Sequence, residues 1–214
     1  MRYDLVIFDM DGTLTDSYLS ITKTFQHTLR ETLGLEIEDL DAFRPFIGPP
    51  LGESLATYDL RGPELTRAMA VYRAHYLTTL DDTVVYPGIS ELLIALKEAG
   101  AKLAVASNKQ TEIVCQLLER DGLAPYFDFV TGADDSRPGT KADAIQSVLD
   151  YFALKGYRRA VMIGDRYHDA AGAEEAGVDF AAAGYGPGSR EEFAPYPMVF
   201  YAQTVAELER FLLE

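Results

Sequence analysis

Short apolar segments that alternate with helix-like segments are the feature of this sequence that most restricts its fold. The first reads Leu5-Val6-Ile7-Phe8 and ends at Asp9. Similar runs follow at residues 103–106, 127–130, 160–163 and 178–181, with a weaker one at residues 198–201. Continuous apolar runs of this length, bounded by polar residues, are typical of strands that are buried on both faces of a parallel sheet.

Amphipathic stretches separate most of these runs. They occupy residues 89–99, 112–121, 141–152, 170–176 and 205–213. Consecutive parallel strands need a crossover connection, which is usually a helix, so this alternation indicates βαβ units. The sequence therefore predicts an α/β fold with a Rossmann-like core, in which helices cover both faces of a parallel sheet.

Residues 17–85 interrupt this alternation. They show helical periodicity at residues 21–33 and 64–80 and contain no clear strand signal. Between the two stretches lies Gly48-Pro49-Pro50, a set of residues that favours a turn or loop. We interpret residues 17–85 as a small α-helical domain inserted after the first strand. Residues 1–16 and 86–214 would then form the α/β core.

Charge and composition restrict the partners of this chain. The formal net charge of −15 at pH 7 opposes binding to nucleic acid or to anionic membranes. No apolar run approaches the roughly 20 residues of a membrane span, and the N-terminal residues lack the pattern of a signal peptide. Cys115, the one cysteine, cannot form an intrachain disulfide. We expect a cytoplasmic monomer or homodimer.

Polar residues follow several of the predicted strands at the point where each strand ends. They are Asp9, Asp11 and Thr13 after the first run, Ser107 and Asn108 after the second, Asp165 and Asp169 after the run at 160–163, and Lys141 at a helix start. Ligands of open parallel sheets bind beyond the carboxyl ends of the strands. We therefore expect these side chains to converge on one site.

The residue types in this set suit phosphoryl transfer. Converging carboxylates are costly unless a cation compensates them, and an all-oxygen ligand set favours Mg²⁺. A lysine and a serine hydroxyl can hold phosphoryl oxygens, because one supplies a point charge and the other a donor. One carboxylate can act as a covalent nucleophile, and a second as general acid and base. A small phosphorylated metabolite would be the substrate.

These residues also carry a family resemblance that covers nearly the whole chain. The segment Asp9-Met10-Asp11-Gly12-Thr13-Leu14 resembles the first motif of the haloacid dehalogenase-like hydrolase superfamily. Ser107, Lys141 and the segment Gly164-Asp165 with Asp169 fit the remaining motifs in the right order. The resemblance implies that Asp9 is the nucleophile, that an aspartyl-phosphate forms on it, and that Asp11 is the general acid and base.

The same resemblance implies the roles of the other residues. Mg²⁺ would be held by the carboxylates of Asp9 and Asp165 and by the backbone carbonyl of Asp11, with support from Asp169. Ser107 and Lys141 would hold the transferring phosphoryl group, and we place Thr13 and Asn108 in the same substrate-binding set. The helical insertion matches the type of cap that follows the first motif in this superfamily.

Within the superfamily, the chain is most similar to phosphoglycolate phosphatase-like and 5′-nucleotidase-like members. The turn Ile47-Gly48-Pro49-Pro50-Leu51 supports this placement. One departure concerns the third motif, where many relatives have a lysine–proline pair and this chain has Arg137-Pro138-Gly139-Thr140-Lys141. We assign the phosphoryl-binding role to Lys141, because Gly139-Thr140 would place it at a helix N-terminus. Arg137 is then left to contact the substrate.

Three functions are compatible with these motifs. The first is hydrolysis of a small phosphomonoester, as in a phosphoglycolate phosphatase. The second is the reaction of a 5′-nucleotidase or a sugar-phosphate mutase of the same superfamily. The third is a metabolite-binding module without turnover. The presence of Asp11, the candidate general acid and base, argues against this third function.

Overall fold

The computed structural model describes residues 1–134, 139–153, 156 and 159–214. The chain forms two compact units. One comprises Met1–Thr15 and Val85–Glu214, and the other comprises Asp16–Val84. These limits differ by one residue from the boundaries that the sequence suggested.

The first unit is built on a parallel sheet. The strands of the chain are β1 (Leu5–Phe8), β2 (Thr15–Asp16), β3 (Val84–Val85), β4 (Lys102–Gln110), β5 (Phe129–Ala133), β6 (Ala160–Gly164), β7 (Asp179–Ala183) and β8 (Phe200–Ala202). Six of them form one sheet in the order β5-β4-β1-β6-β7-β8, and every recorded pairing in it is parallel. This confirms the predicted α/β, Rossmann-like fold class.

The helices divide between the two units. They are α1 (Tyr18–Leu33), α2 (Leu51–Ala56), α3 (Gly62–Tyr76), α4 (Ile89–Glu98), α5 (Thr111–Arg120), α6 (Lys141–Ala153), α7 (Tyr167–Ala176) and α8 (Val205–Leu213). The first three belong to the second unit and the other five to the first. Among the described residues, no helix combines the length and the hydrophobicity needed to cross a bilayer.

Strand β1 lies at the centre of the sheet, which explains its uninterrupted apolar sequence. Val6 is paired with Leu103 on one side and with Val161 on the other. All four residues of β1 are buried, since both faces of the strand are covered. Leu5 and Ile7 belong to one hydrophobic cluster with residues of β6, β7 and α6. The strand thus holds the residue that follows it, Asp9, in the middle of the sheet.

The second unit has an aromatic core. The Phe25 ring of α1 lies with its centroid 4.9 Å from that of Phe46 and 4.9 Å from that of Tyr72. Phe43 stacks on the same ring at 6.1 Å. Aromatic packing of this kind buries a large apolar area and accounts for the compactness of a helical unit of this size.

Four strands show the main differences from the sequence-based prediction. β4 continues to Gln110 instead of ending at residue 106, and its register with β5 shifts between Ala106 and Gln110. β5 starts at Phe129, because Phe127 still follows the short 3₁₀ helix Ala124–Tyr126. β2 and β3 were not predicted, since two residues are too few to show any periodicity.

The central position of β1 leads to a prediction about the free energy of unfolding. We expect Ile7→Ala to lower the free energy of unfolding by about 2–5 kcal/mol, because it leaves a cavity in a region that cannot collapse around it. Val84, which is 56% exposed, provides the control: Val84→Ala should change stability by less than about 0.5 kcal/mol. Urea denaturation of the three proteins measures both effects. Equal losses would contradict the central burial of β1.

Candidate active site

The loop that follows β1 is held by backbone hydrogen bonds. The Asp9 N–H donates to the carbonyl of Ile163, 2.9 Å away, which fixes the loop to the end of β6. The N–H groups of Leu14 and Thr15 both donate to the Met10 carbonyl at 3.0 Å. This tight turn buries the carboxylates of Asp9 and Asp11, although both are charged residues in an acidic protein.

A glycine allows this loop to lie against the next carboxylate. Gly12 has a φ of +80°, a conformation that side chains other than glycine rarely adopt. A Cβ atom at this position would lie 2.4 Å from Asp165 Oδ2. Any larger residue at position 12 would therefore push Asp165 away from the loop that carries Asp9.

Asp165 and Asp169 come from the turn between β6 and α7. Asp165 directly follows β6 and precedes the helix, while Asp169 lies in the first turn of α7. The Asp169 Oδ2 atom accepts the backbone N–H of Arg166 at 3.1 Å, so Asp169 also caps its own helix. The two carboxylates therefore converge because both lie at the turn from β6 into α7. Asp165 precedes the helix, and Asp169 lies in its first turn.

Three carboxylates meet at this edge of the sheet. One oxygen atom from each of Asp9, Asp165 and Asp169 lies within 4.8 Å of the others, and all three residues are buried. The Thr13 hydroxyl donates to Asp165 Oδ1 at 3.1 Å. The other oxygen, Asp165 Oδ2, is buried and has no hydrogen-bond partner among the described residues. A cluster of carboxylate oxygens with an unsatisfied buried member fits a hard divalent cation such as Mg²⁺.

Raised pKa values of two carboxylates indicate that their ionised forms are disfavoured in this cluster when no cation is bound. Burial raises the pKa of Asp9 to about 6, against the opposing effect of Lys141. Burial also raises the pKa of Asp165 well above its ordinary value, and the neighbouring carboxylates of Asp169 and Asp9 raise it further. A divalent cation would remove this penalty, because it favours the ionised form of each carboxylate.

Lys141 supplies the buried positive charge. It is the first residue of α6, and its Nζ atom lies 2.9 Å from Asp9 Oδ1 and 2.9 Å from Asp169 Oδ1. The same atom donates to the Ala106 carbonyl at 3.0 Å. Burial by itself lowers the pKa of Lys141, but the two carboxylates outweigh this effect and raise the pKa above its ordinary value. The ammonium therefore stays charged.

Lys109 forms a second ion pair, which the sequence analysis did not predict. Its Nζ atom lies 3.0 Å from Asp11 Oδ2, and both side chains are about nine-tenths buried. The sequence placed Lys109 beside Ser107 and Asn108, but nothing in the sequence linked it to Asp11. The pair shows that the two aspartates of the first loop have different cationic partners, Lys141 for Asp9 and Lys109 for Asp11.

Ser107 and Asn108 lie where the register of β4 shifts. Irregularities of this kind turn side chains away from a regular ladder and are common next to active sites. The Ser107 hydroxyl is buried and accepts the Lys109 N–H at 3.3 Å. Ser107 and Asn108 also line a cavity of about 500 Å³ together with Thr111 and Thr140.

Two of the predicted site residues need separate comment. Thr13 was expected to bind substrate, whereas its fully buried hydroxyl is engaged with Asp165. In the structure this hydroxyl is therefore bonded to a carboxylate, and substrate binding by Thr13 stays a prediction. Arg137, the alternative to Lys141 at the third motif, lies outside the described residues. Lys141 itself lies beside Asp9, as the assignment to the third motif requires.

Comparisons with known proteins indicate the family of this chain. The haloacid dehalogenase-like hydrolase family matches residues 6–183. The chain is 35% identical over 213 residues to the tyrosine-protein kinase PtkA of Mycobacterium tuberculosis, covering 97% of this chain and 72% of that protein. It is 34% identical over 215 residues to a 5′-nucleotidase of Pseudomonas aeruginosa, covering 99% and 96% respectively.

A solved structure shows the same similarity in three dimensions. The crystal structure of a predicted phosphatase from Clostridium acetobutylicum has a TM-score of 0.91 and 36% sequence identity, and the match covers 100% of this chain and 99% of that one. The family match extends from β1 to the end of β7 and so contains every residue of the carboxylate cluster. This chain therefore belongs to the haloacid dehalogenase-like hydrolase family.

Proposed function

We propose that this chain is a Mg²⁺-dependent phosphatase that hydrolyses a small phosphomonoester through an aspartyl-phosphate on Asp9. The observation that carries the proposal is the buried cluster of Asp9, Asp165 and Asp169 with Lys141 against two of its members. Membership of a hydrolase family and similarity to a 5′-nucleotidase and a predicted phosphatase support the reaction class.

The cluster supplies the residues for the metal. The Asp9 and Asp165 carboxylates and the Asp11 backbone carbonyl would hold Mg²⁺, and Asp169 would support them. When bound, Mg²⁺ would neutralise these carboxylates and stabilise negative charge on the phosphoryl oxygens. The Thr13 hydroxyl, which donates to Asp165 Oδ1, leaves the other Asp165 oxygen available for this role.

Asp9 and Asp11 divide the chemistry between them. An Asp9 carboxylate oxygen attacks phosphorus while the bond from phosphorus to the ester oxygen breaks. Asp11 gives its proton to the departing oxygen, which leaves as an alcohol. Asp11 then takes a proton from water, whose oxygen attacks phosphorus and breaks its bond to Asp9. Inorganic phosphate leaves, and the Asp9 carboxylate and the Asp11 acid are regenerated.

The remaining residues orient the substrate. Lys141 and Ser107, with Asn108, would hold the phosphoryl oxygens in line with Asp9, since positioning and charge neutralisation dominate phosphoryl transfer. Lys109 would hold the Asp11 carboxylate in place by its ion pair after Asp11 has given up its proton and before it takes one from water. We also assign the chain to the cytoplasm.

The identity of the substrate separates the alternatives. A phosphoglycolate-like small ester is our first choice. Similarity to a 5′-nucleotidase over nearly the full length of both chains makes nucleoside monophosphates the second. A sugar-phosphate mutase would interconvert isomers without net release of phosphate, and a metabolite-binding module would bind its ligand without turnover.

A panel assay tests the reaction class and the metal together. Phosphate release is measured for phosphoglycolate, nucleoside monophosphates, pyrophosphate, hexose phosphates and an aryl phosphate, each with Mg²⁺ and with EDTA. We expect release from at least one ester with Mg²⁺ and none with EDTA, because the carboxylates would then repel the phosphoryl group. Full activity in EDTA would contradict the metal assignment. Binding without release would favour the module, and isomer conversion the mutase.

The roles proposed for Asp9 and Asp11 predict what happens when one carboxylate oxygen of either residue is replaced by an amide nitrogen. Asp9→Asn and Asp11→Asn should each lower kcat by about 10³-fold or more, because each loses an obligatory chemical step. Asp150→Asn on the exposed face of α6 is the matched control and should keep full activity. Mass spectrometry of Asp11→Asn protein incubated with the aryl phosphate, whose leaving group departs without a proton, should find phosphate on the peptide that contains Asp9. Normal turnover by Asp9→Asn protein would rule out Asp9 as the nucleophile.

The ion pair between Lys109 and Asp11 predicts a further kinetic effect. Lys109→Met should lower kcat by about tenfold, because a buried hydrogen-bonded charge pair contributes roughly 1.5–3 kcal/mol and the lone carboxylate is free to turn away. Lys97→Met is the control, since its pair with Asp128 is about one-third exposed and lies on the surface. Steady-state kinetics compare the two. A Lys109→Met variant with the kcat of the wild type would exclude this role.

A further inference from the structure

The segment after β7 packs against the catalytic loop, although no sequence motif assigns it a role. It begins Gly184-Tyr185-Gly186. The Tyr185 hydroxyl donates to the backbone carbonyl of Thr13 at 3.1 Å. Thr13 in turn donates its own hydroxyl to Asp165 Oδ1. Tyr185 is therefore connected through one residue to a carboxylate of the proposed metal site.

Tyr185 also contacts the chain where it returns to the first unit. Its ring lies edge-on to Tyr86, with a centroid distance of 5.2 Å and an interplanar angle of 72°. The Tyr86 N–H donates to the Leu14 carbonyl at 3.1 Å. Leu14 directly precedes β2, and Tyr86 directly follows β3. Tyr185 thus contacts Thr13, in the loop that leads into β2, and Tyr86, the residue that follows β3.

The backbone next to Tyr185 lies unusually close to both carboxylate-bearing loops. A Cβ atom on Gly186 would lie 2.2 Å from the Gly12 carbonyl oxygen and 2.6 Å from Asp165 Cβ. Farther along the segment, Glu192 Oε2 accepts Arg166 Nε–H at 3.0 Å. Because Arg166 directly follows Asp165, the segment is attached to the proposed metal site at both ends.

The Tyr185 hydroxyl is suited to be a permanent donor. Burial raises its pKa well above the ordinary value, and the nearby Asp165 carboxylate raises it further. The hydroxyl therefore keeps its proton throughout the pH range in which a protein of this kind is active. Replacing Tyr185 by phenylalanine removes its hydrogen bond to the Thr13 carbonyl and keeps the aromatic ring.

We propose that Tyr185 is a positioning residue of the metal site: its hydrogen bond to Thr13 fixes the Asp9–Thr13 loop, so that Thr13 orients Asp165 for Mg²⁺. The inference rests on the proposed function in that it takes Asp165 as a metal ligand. Groups that orient metal ligands from outside commonly affect metal affinity nearly as much as the ligands do.

The variant Tyr185→Phe tests this inference, because it keeps the ring against Tyr86 and removes the donor. Mg²⁺ binding to the full chain is measured by titration calorimetry, independently of activity. We expect the dissociation constant for Mg²⁺ to rise about tenfold. The Mg²⁺ concentration for half-maximal phosphate release should rise in parallel. KM for the ester at saturating Mg²⁺ should stay close to that of the wild type. The thermal midpoint in EDTA should fall by no more than about 2–4 °C, as expected for the loss of one hydrogen bond.

Tyr196→Phe is the matched control. The Tyr196 side chain is partly buried and packs against the hydrophobic cluster of the sheet. This variant should bind Mg²⁺ like the wild type. An equal loss of affinity in both variants would show a general effect of losing a tyrosine hydroxyl and would overturn the role of Tyr185.

The remaining outcomes separate this inference from the proposed function. Unchanged Mg²⁺ affinity in Tyr185→Phe, with or without a lower thermal midpoint in EDTA, would overturn the positioning role alone. Wild-type protein that binds no Mg²⁺ would overturn the proposed metal site and the inference with it. Weaker Mg²⁺ binding in Tyr185→Phe alone, with a thermal midpoint in EDTA within about 2–4 °C of the wild type, is the result that supports the positioning role. A larger fall in the midpoint would show general destabilisation and would overturn it.

Discussion

The buried ammonium of Lys141 is the interaction on which the site depends. Its contacts with Asp9, Asp169 and the Ala106 carbonyl connect the end of β1 and the middle of β4 with the starts of α6 and α7. Buried charges are tolerated when they are paired and hydrogen-bonded, and removing one partner leaves the others uncompensated. Lys141 therefore stabilises the arrangement of four segments and still leaves the cluster with excess negative charge, which a divalent cation would balance.

Close backbone contacts, in addition to the ion pairs, hold the carboxylates in place. Gly12 and Gly186 bring two loops against Asp165 and against each other, at distances that no side chain would permit. Main chain as well as side chains thus packs against a carboxylate of the proposed metal site. Such packing limits the movement of the carboxylates, and preorganised ligands lose little freedom when a cation or a phosphoryl group binds.

The sequence predicted those parts of the site that follow from strand ends. Asp9, Asp165 and Lys141 were expected together because each lies at the carboxyl edge of one parallel sheet, and the structure places them so. The pair of Lys109 with Asp11 and the bond from Tyr185 to Thr13 were not predicted. Tyr185 and Thr13 are 172 residues apart, and the register shift in β4 that accompanies Lys109 depends on its pairing with β5. Neither leaves a periodic signal in the chain.

The sequence by itself determined the fold class, the order of the elements and the family, because apolar periodicity and the residues at strand ends are local properties of the chain. The tertiary structure alone decided which cation pairs with which aspartate and that Thr13 supports Asp165. It also decided that the segment after β7 packs against the Asp9–Thr13 loop. These outcomes depend on distances of a few ångströms between segments far apart in sequence, and such distances are set by packing of the whole unit.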